Sequence, residues 1–521
     1  MRKTPSKTPA NDETHDDSGW DATKLESPKR AATQLALGGL IFAGLCGGYL
    51  WWAHREHAVK QFITEASPLI ERSALKSLRD AEAILMQALA RKSSDGEVHS
   101  DLAELYALMW VEHGVADAEN KAKEHLARAI SADAEKAPRY SAELLIAFGD
   151  KRHADVVTRA KELSAKGAVS SKLYFALGLA ELATGKWHEG RENLRKAHEL
   201  SSTAAHYARA LGDAYDAEGN AGNATLYWEL SCRESSDYVQ GCARTAEANL
   251  RAGRAVASAT NELKRLDTLG DALQGPQGKA ALLEAHAIES LTSRHPDDAI
   301  KIIDDAIKSV GVTARLLAAR ADARFAKNEI DPGLHDIESA VKESNGAKKY
   351  ILALIDLEIK HKRADKALER MRAEPSASTD PTMLVAQGRA LLSLGKNDEA
   401  KRALDAALKL NAEFPEALVA SAELARIQGD FKAAQTLYEK AASARPQYPE
   451  VYKGVGLMWI KQGALKEADQ QLEIAERMYR QSGASNIELK ELFNDAETAY
   501  KKVGRAQPFV NKWGSKSPSK S

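Results

Sequence analysis

Residues 395–416, GKNDEAKRALDAALKLNAEFPE, and 429–450, GDFKAAQTLYEKAASARPQYPE, share Gly at the first place, Ala at the sixth, a large apolar residue at the tenth, Ala at the thirteenth and Pro-Glu at the end. The offset is 34 residues, and it persists: Ala400, Ala434 and Ala468; Gly395, Gly429 and Gly463; Leu404, Tyr438 and Leu472; Ala407, Ala441 and Ala475. Upstream the first series continues through Ala367, Gly333 and Ala299 with one step of 33, and Gly178 and Gly212, Gly190 and Ala224, and Gly185, Gly219 and Gly253 repeat the stride of 34. A constant stride over hundreds of residues demands a stack of like units, each touching its neighbours, in place of one central core. With 521 residues the chain is in any case too long for a single core.

Each unit reads as two helices. Ala, Leu, Glu, Lys and Arg dominate long tracts, aromatics are only 6% and prolines number 15, so the chain is rich in residues that lose little on entering a helix. Gly456 and Ala468 are twelve residues apart across a turn marked by Gly463. They face each other where two antiparallel helices cross, and only small side chains permit that approach. The stretch 449–475, with Tyr452, Val455, Gly456, Trp459, Ala468, Leu472 and Ala475 in register and Pro446 closing the preceding unit, resembles the tetratricopeptide repeat, a 34-residue helix-turn-helix. The resemblance runs over roughly residues 70–480 and implies an all-α fold. That fold is a TPR-type α-solenoid, a right-handed superhelix of about eleven repeats over 54–485, preceded by one transmembrane helix. Two intervals of 41 residues, Ala81 to Ala122 and Ser258 to Ala299, are expected to be longer repeats or inserted loops. Residues 486–506 read as a capping helix that buries Ile487 or Leu489, Leu492, Phe493, Ala496 and Tyr500, and 507–521 as a disordered basic tail.

Residues 31–53, AATQLALGGLIFAGLCGGYLWWA, carry no charge and as a helix would be roughly 35 Å long, enough to cross a bilayer. Tyr49, Trp51 and Trp52 gather at one end, where aromatic rings favour the membrane interface. Residues 1–30 form a polar leader expected to be disordered, and with no small-residue cleavage site after the run an uncleaved anchor is expected. Cations near the span are tied, Lys24, Lys29 and Arg30 against Arg55, Lys60 and Arg72. The further leader cations Arg2, Lys3 and Lys7 favour a cytoplasmic N-terminus. The array would then be periplasmic, on a bacterial inner membrane. Gly39, Ala43 and Gly47 form a small face that allows an anchor-mediated homodimer, although small residues are common in spanning helices. Cys46 lies in the span, and Cys232 and Cys242 read either as two buried thiols or as a short disulfide in an oxidising compartment.

The formal net charge of −1 gives no global field for nucleic acid. There is no phosphate loop, no G-x-S-x-G elbow, no H-E-x-x-H and no paired C-x-x-C. Neither His54 with His57 nor His188 with His198 makes a credible metal site, so no catalytic residue, metal or cofactor is assigned. The resemblance implies a groove lined by fixed positions of each first helix. Here these are Val385, Arg389 and Leu392; Val419, Glu423 and Arg426; Lys453, Leu457 and Ile460; and, upstream, Ala318, Asp322 and Phe325 with Arg209, Asp213 and Asp216. Such a wall suits peptide or helical segments of other proteins. The paired Lys and Asn that relatives use to clamp chaperone C-termini are missing from the best-registered copies. The resulting expectation is a non-enzymatic scaffold in an envelope complex for secretion, assembly or motility. The alternative is an import or targeting receptor with its array in the cytosol; an enzyme subunit has no positive support.

Overall fold

The computed structural model describes residues 28–374, 377–481 and 486–513, and the leader expected to be disordered lies mostly outside them. The described residues form helices and no strand. The chain divides into two units, residues 1–61 and 62–521. Helices α1 (Pro28–Arg72) and α2 (Leu75–Arg91) come first. Eleven helical pairs follow, beginning with α3 (Gly96–Val111) and α4 (Ala118–Ser131), α5 (Ala137–Gly149) and α6 (His153–Ala165), and α7 (Ser171–Ala183) and α8 (Trp187–Leu200). The middle pairs are α9 (Ala205–Ala217) and α10 (Ala221–Glu234), α11 (Val239–Arg251) and α12 (Val256–Asp267), α13 (Asp271–Thr292) and α14 (Pro296–Val310), and α15 (Ala314–Ala326) and α16 (Ile330–Glu343). The last are α17 (Lys348–Lys360) and α18 (Ala364–Ala373), α19 (Pro381–Ser393) and α20 (Asn397–Leu410), α21 (Pro415–Gln428) and α22 (Phe431–Ala444), and α23 (Pro449–Gln462) and α24 (Leu465–Gln481). Helices α25 (Asn486–Lys502) and α26 (Ala506–Trp513) end the array.

The repeated small residues sit where the helices of a pair touch. A Cβ on Gly388 would come within 2.6 Å of Leu404, on Gly456 within 2.8 Å of Leu472, on Gly178 within 2.7 Å of Leu194 and on Gly212 within 2.6 Å of Trp228. The partner is in every case sixteen residues on, so a missing side chain in the first helix receives a large one from the second. Ala299, Ala367, Ala400, Ala434 and Ala468 are fully buried beside these contacts. In the irregular repeat the buried position is taken by Ala259, and Ser258 is exposed. The extra residue is absorbed before α12, where Ala255 adopts φ +47°. The rest of that 41-residue interval is taken up inside α13, which breaks at Gly275 (φ +67°) ahead of Pro276. The other long interval holds a sixteen-residue α3 and a connection through Gly114.

The turn within each pair also has one backbone solution. Gly185, Gly219, Gly253, Gly395, Gly429 and Gly463 all have φ between +59° and +86°. Lys151, Arg294, Asn328 and Lys362 occupy the same place in their repeats with φ between +60° and +66°. The left-handed residue is thus a property of the hairpin, and glycine is merely the side chain that takes it without steric cost.

At the C-terminal end α25 buries Leu489, Leu492, Phe493, Ala496 and Tyr500. The disorder expected from residue 507 is corrected by α26. Phe509 and Trp513 are buried against α25, and the Trp513 indole donates to Asp469 at 2.8 Å. Two aromatics four residues apart suffice to dock one more amphipathic turn. Residues 514–521 lie outside the described residues.

In the N-terminal unit α1 carries the one described helix long and apolar enough to cross a membrane, with a mean hydropathy of 1.5 in its apolar window. It does not stop at residue 53 as expected. It continues through Pro68 to Arg72 and ends at Ser73, which leaves the helical region at φ +57°.

Ala468→Leu should overpack the α23/α24 crossing and lower unfolding free energy by about 1–3 kcal/mol in denaturant titrations. Replacing Lys151, Arg294 or Lys362 by Gly should raise stability by about 0.5 kcal/mol each, whereas Gly429→Ala should lower it by about 1 kcal/mol. A loss of stability in all three glycine variants would refute a shared left-handed turn.

Candidate functional site

Positions that recur every 34 residues align in rows across successive first helices. Val385, Arg389 and Leu392 on α19, Val419 and Glu423 on α21, and Lys453 and Leu457 on α23 accordingly line one concavity of about 430 Å³. Val385 and Leu457 are buried and make its floor. Arg389 and Lys453 stand on its rim, each held by a carboxylate of a flanking first helix or cap: Arg389 by Asp356 of α17 at 2.9 Å, Lys453 by Asp495 of α25 at 2.5 Å. Two expected wall residues turn away from it. The Arg426 guanidinium folds onto Glu423 at 2.8 Å, and Ile460 is fully buried in the cluster that α25 covers. Sequence reasoning missed Tyr438 and Tyr448, which also line the concavity. A signal for Tyr438 existed: it stands where its neighbours in the series are Leu404 and Leu472, and its hydroxyl donates to Glu423 at 3.3 Å.

The upstream positions behave differently. Arg209 donates to Glu112 at 2.8 Å, to the Tyr238 hydroxyl at 3.1 Å and to Asp213. Asp216 is held by Arg315 and by Lys349 at 2.9 Å, and Asp322 by Arg251 at 2.8 Å. Glu247 and Glu284 complete the seam, accepting from Arg315 at 2.6 and 3.0 Å. Phe325 lies over the His361 ring and fills the space a side chain at Gly333 would need. These groups are polar because the coil brings first helices face to face, and there each charge meets an opposite one. Burial alone would raise the Asp216 and Glu247 carboxyls, but Arg315 together with Lys349 or Arg251 outweighs it and holds both below the usual carboxylate range. The coil also touches itself across long sequence distances. Asn345 donates to the carbonyl of Ala183 at 2.9 Å, and Trp187 and Ala217 pack with Leu317 and Tyr350. Arg209, Asp213, Asp216 and Asp322 thus all hold intramolecular partners, and Arg209 and Asp213 also line a concavity of about 250 Å³.

In the N-terminal unit Tyr49, Trp51 and Trp52 are exposed, with the Arg55 guanidinium 5.0 Å above the Trp51 ring. Gly39, Ala43 and Gly47 are exposed too, and a Cβ at either glycine would meet nothing within 4 Å. Cys232 and Cys242 form a disulfide joining α10 to α11, which decides between the two readings of that pair.

Buried imidazoles give the array an acid sensitivity. Burial pushes His113 down to about 4, only partly offset by Glu112, and pushes His206 well below its ordinary value. Both are neutral when folded, whereas an unfolded chain protonates them near pH 6.5, so their contribution is intact above that pH and is lost as pH falls toward about 4. Asp101 opposes them: burial, then Glu104, raises its carboxyl to about 7, so on acidification the folded state takes a proton before the unfolded chain does. Denaturation midpoints should fall between about pH 6.5 and 4, and fall more steeply in Asp101→Asn. A flat profile in the variant would contradict these assignments.

Comparison with known proteins agrees with this architecture. The family profile described as tetratricopeptide repeat matches residues 385–449 and 422–482. No curated protein sequence matches. Among solved structures the chain is similar to yeast Tom70, at 15% identity and a TM-score of 0.32 over 72% of this chain and 98% of that one. It is similar to an IFIT1 monomeric mutant at 14% identity and a TM-score of 0.39, over 72% and 90%. It is also similar to MamA, at 20% identity and a TM-score of 0.24, over 31% and 94%. Tetratricopeptide repeats are thus present in the chain, within an all-α solenoid array.

Proposed function

We propose that this chain is a membrane-anchored, non-enzymatic scaffold that holds partner proteins in the groove formed by α19, α21 and α23. One observation carries the reading: the row from Val385 to Leu457 lines an open concavity of about 430 Å³, whereas upstream Arg209 and Asp213 line a smaller one of about 250 Å³ and Asp216 is held by Arg315 and Lys349. The groove has an aliphatic floor and a charged rim, a combination suited to one or two apolar side chains of a peptide or helix flanked by polar groups. The α1 span would act as the anchor, with Tyr49, Trp51 and Trp52 at its interface and the N-terminus in the cytoplasm. The Cys232–Cys242 disulfide supports an array on the oxidising side of the membrane, because such bonds persist outside the cytosol and are rare within it. The same bond weighs against a cytosolic import receptor. An envelope complex is the setting these features favour.

A photo-crosslinking side chain placed at Arg389, on the groove rim, should yield partner adducts in intact cells that are absent when the probe stands at Lys401 on α20. Equal adduct patterns would defeat the groove assignment. Non-reducing peptide mapping of protein taken directly from membranes should recover residues 232 and 242 linked. Two free thiols would overturn the periplasmic placement and restore the cytosolic alternative.

A further inference from the structure

The short connection between α1 and α2 is one of the most thoroughly buried segments of the 62–521 unit. Ser73, Ala74 and Leu75 are buried almost completely, and Ile70 nearly so. Ser73 sits at φ +57°, a conformation that a non-glycine residue keeps only when its surroundings compensate. The compensation comes from helix ends far apart in the chain. The carbonyl of Ser73 accepts from the His113 ring at 2.7 Å, just beyond α3. Its hydroxyl meets Nδ1 of His206 on α9 and donates to the carbonyl of Ile70 at 2.9 Å. Ala74 packs with Ala205 of α9 and with Tyr238 at the start of α11. Leu75 reaches Gly275 in α13, where a Cβ would come within 3.2 Å of its side chain.

The socket is itself a connected structure. The His113 carbonyl receives the backbone N–H of Gln277, tying α13 to the end of α3. The Tyr238 hydroxyl donates to Glu112 at 2.8 Å, and the Gln240 amide donates to the Glu112 carbonyl at 2.6 Å. With His113 Nε2 committed to a carbonyl, its Nδ1 is the acceptor, 3.4 Å from that same Gln240 amide, so the tautomer and the amide orientation fix each other.

We infer that residues Ile70–Leu75 are a clasp: a built-in occupant of a socket made by His113, Ala205, His206, Tyr238 and Gly275. Seated there, the clasp holds the ends of α3, α9, α11 and α13 in one register. The socket recognises a Ser-Ala-Leu turn, left-handed at the Ser, through a carbonyl acceptor, one small hydroxyl and two small or aliphatic side chains. Removing the clasp leaves a site for another segment of that chemistry and loosens the seam between α3 and α13. This inference does not rest on the groove at α19–α23.

The test uses the full chain. Ser73→Asp places a charge in the buried socket and expels the clasp. Native-state hydrogen exchange should then speed up about tenfold or more both at residues 70–75 and at the Gln277 amide, more than two hundred residues away in sequence. A fluorescent acetylated peptide IERSAL should bind this variant and not the wild type. Unchanged exchange at Gln277, or no peptide binding by a variant with wild-type helix content, would overturn the proposal. Should Ser73→Asp fail to fold, His206→Leu removes the polar contact to the Ser73 hydroxyl and keeps an apolar side chain beside Phe175 and Tyr207. Faster exchange confined to residues 70–75 and Gln277 is then expected, and exchange identical to wild type would overturn the clasp.

Discussion

The structure depends on one close approach. In each well-formed pair a residue without a side chain, or with only a methyl, lets the second helix lay a large residue directly on its backbone, as Leu404 does at Gly388 and Leu472 at Gly456. This contact sets the spacing of the two helices, and the spacing sets the angle at which the next pair must stack. Everything else follows from repeating it: the rows of exposed positions on the first helices, the coiling of the array, and the need for caps at its ends.

That contact was legible in the sequence because it is local. Its two halves lie sixteen residues apart and recur at a constant stride, so Ala400, Ala434 and Ala468 announce it without any structure. The turns were legible only where glycine fills them. Lys151, Arg294, Asn328 and Lys362 adopt the same left-handed backbone, yet nothing in their chemistry marks them, because the conformation is imposed by the helices on either side. The end of α1 and the docking of α26 escaped notice for a related reason: neither is written in a period. The groove was half legible. The family register found Val385, Arg389 and Leu457, but it could not reveal that Ile460 is roofed by α25 or that Arg426 turns onto Glu423.

Least legible were the partners of Arg209, Asp213, Asp216 and Asp322. Their register predicted a wall open to partners, and their chemistry looked suitable. What the register could not supply is which first helix each charge meets, since no local pattern encodes pairs such as Asp216 with Arg315 or Asp322 with Arg251. Arg315 reaches Glu247 and Glu284 and makes that part of the wall interior, while Arg209 and Asp213 still line a concavity. At α19 to α23 the same row lines a concavity of about 430 Å³, with Arg389 and Lys453 paired at its rim. Identical repeat positions thus serve as cement in one part of the molecule and as surface in another. A buried ion-pair seam is weak evidence of added stability, but it makes the wrong register costly, since a shifted coil would strand charges without partners.

An ideal stack of repeats behaves as a one-dimensional object: each unit feels only the next, and the ends fray independently of the middle. The bond from Asn345 to Ala183, with the Lys349 pair to Asp216 and the packing of Trp187 and Ala217 on Leu317 and Tyr350, weakens that independence for the stretch it spans. Melting there is drawn toward cooperativity, and the tie from Lys360 to Glu491 extends the same coupling to the pairs that follow.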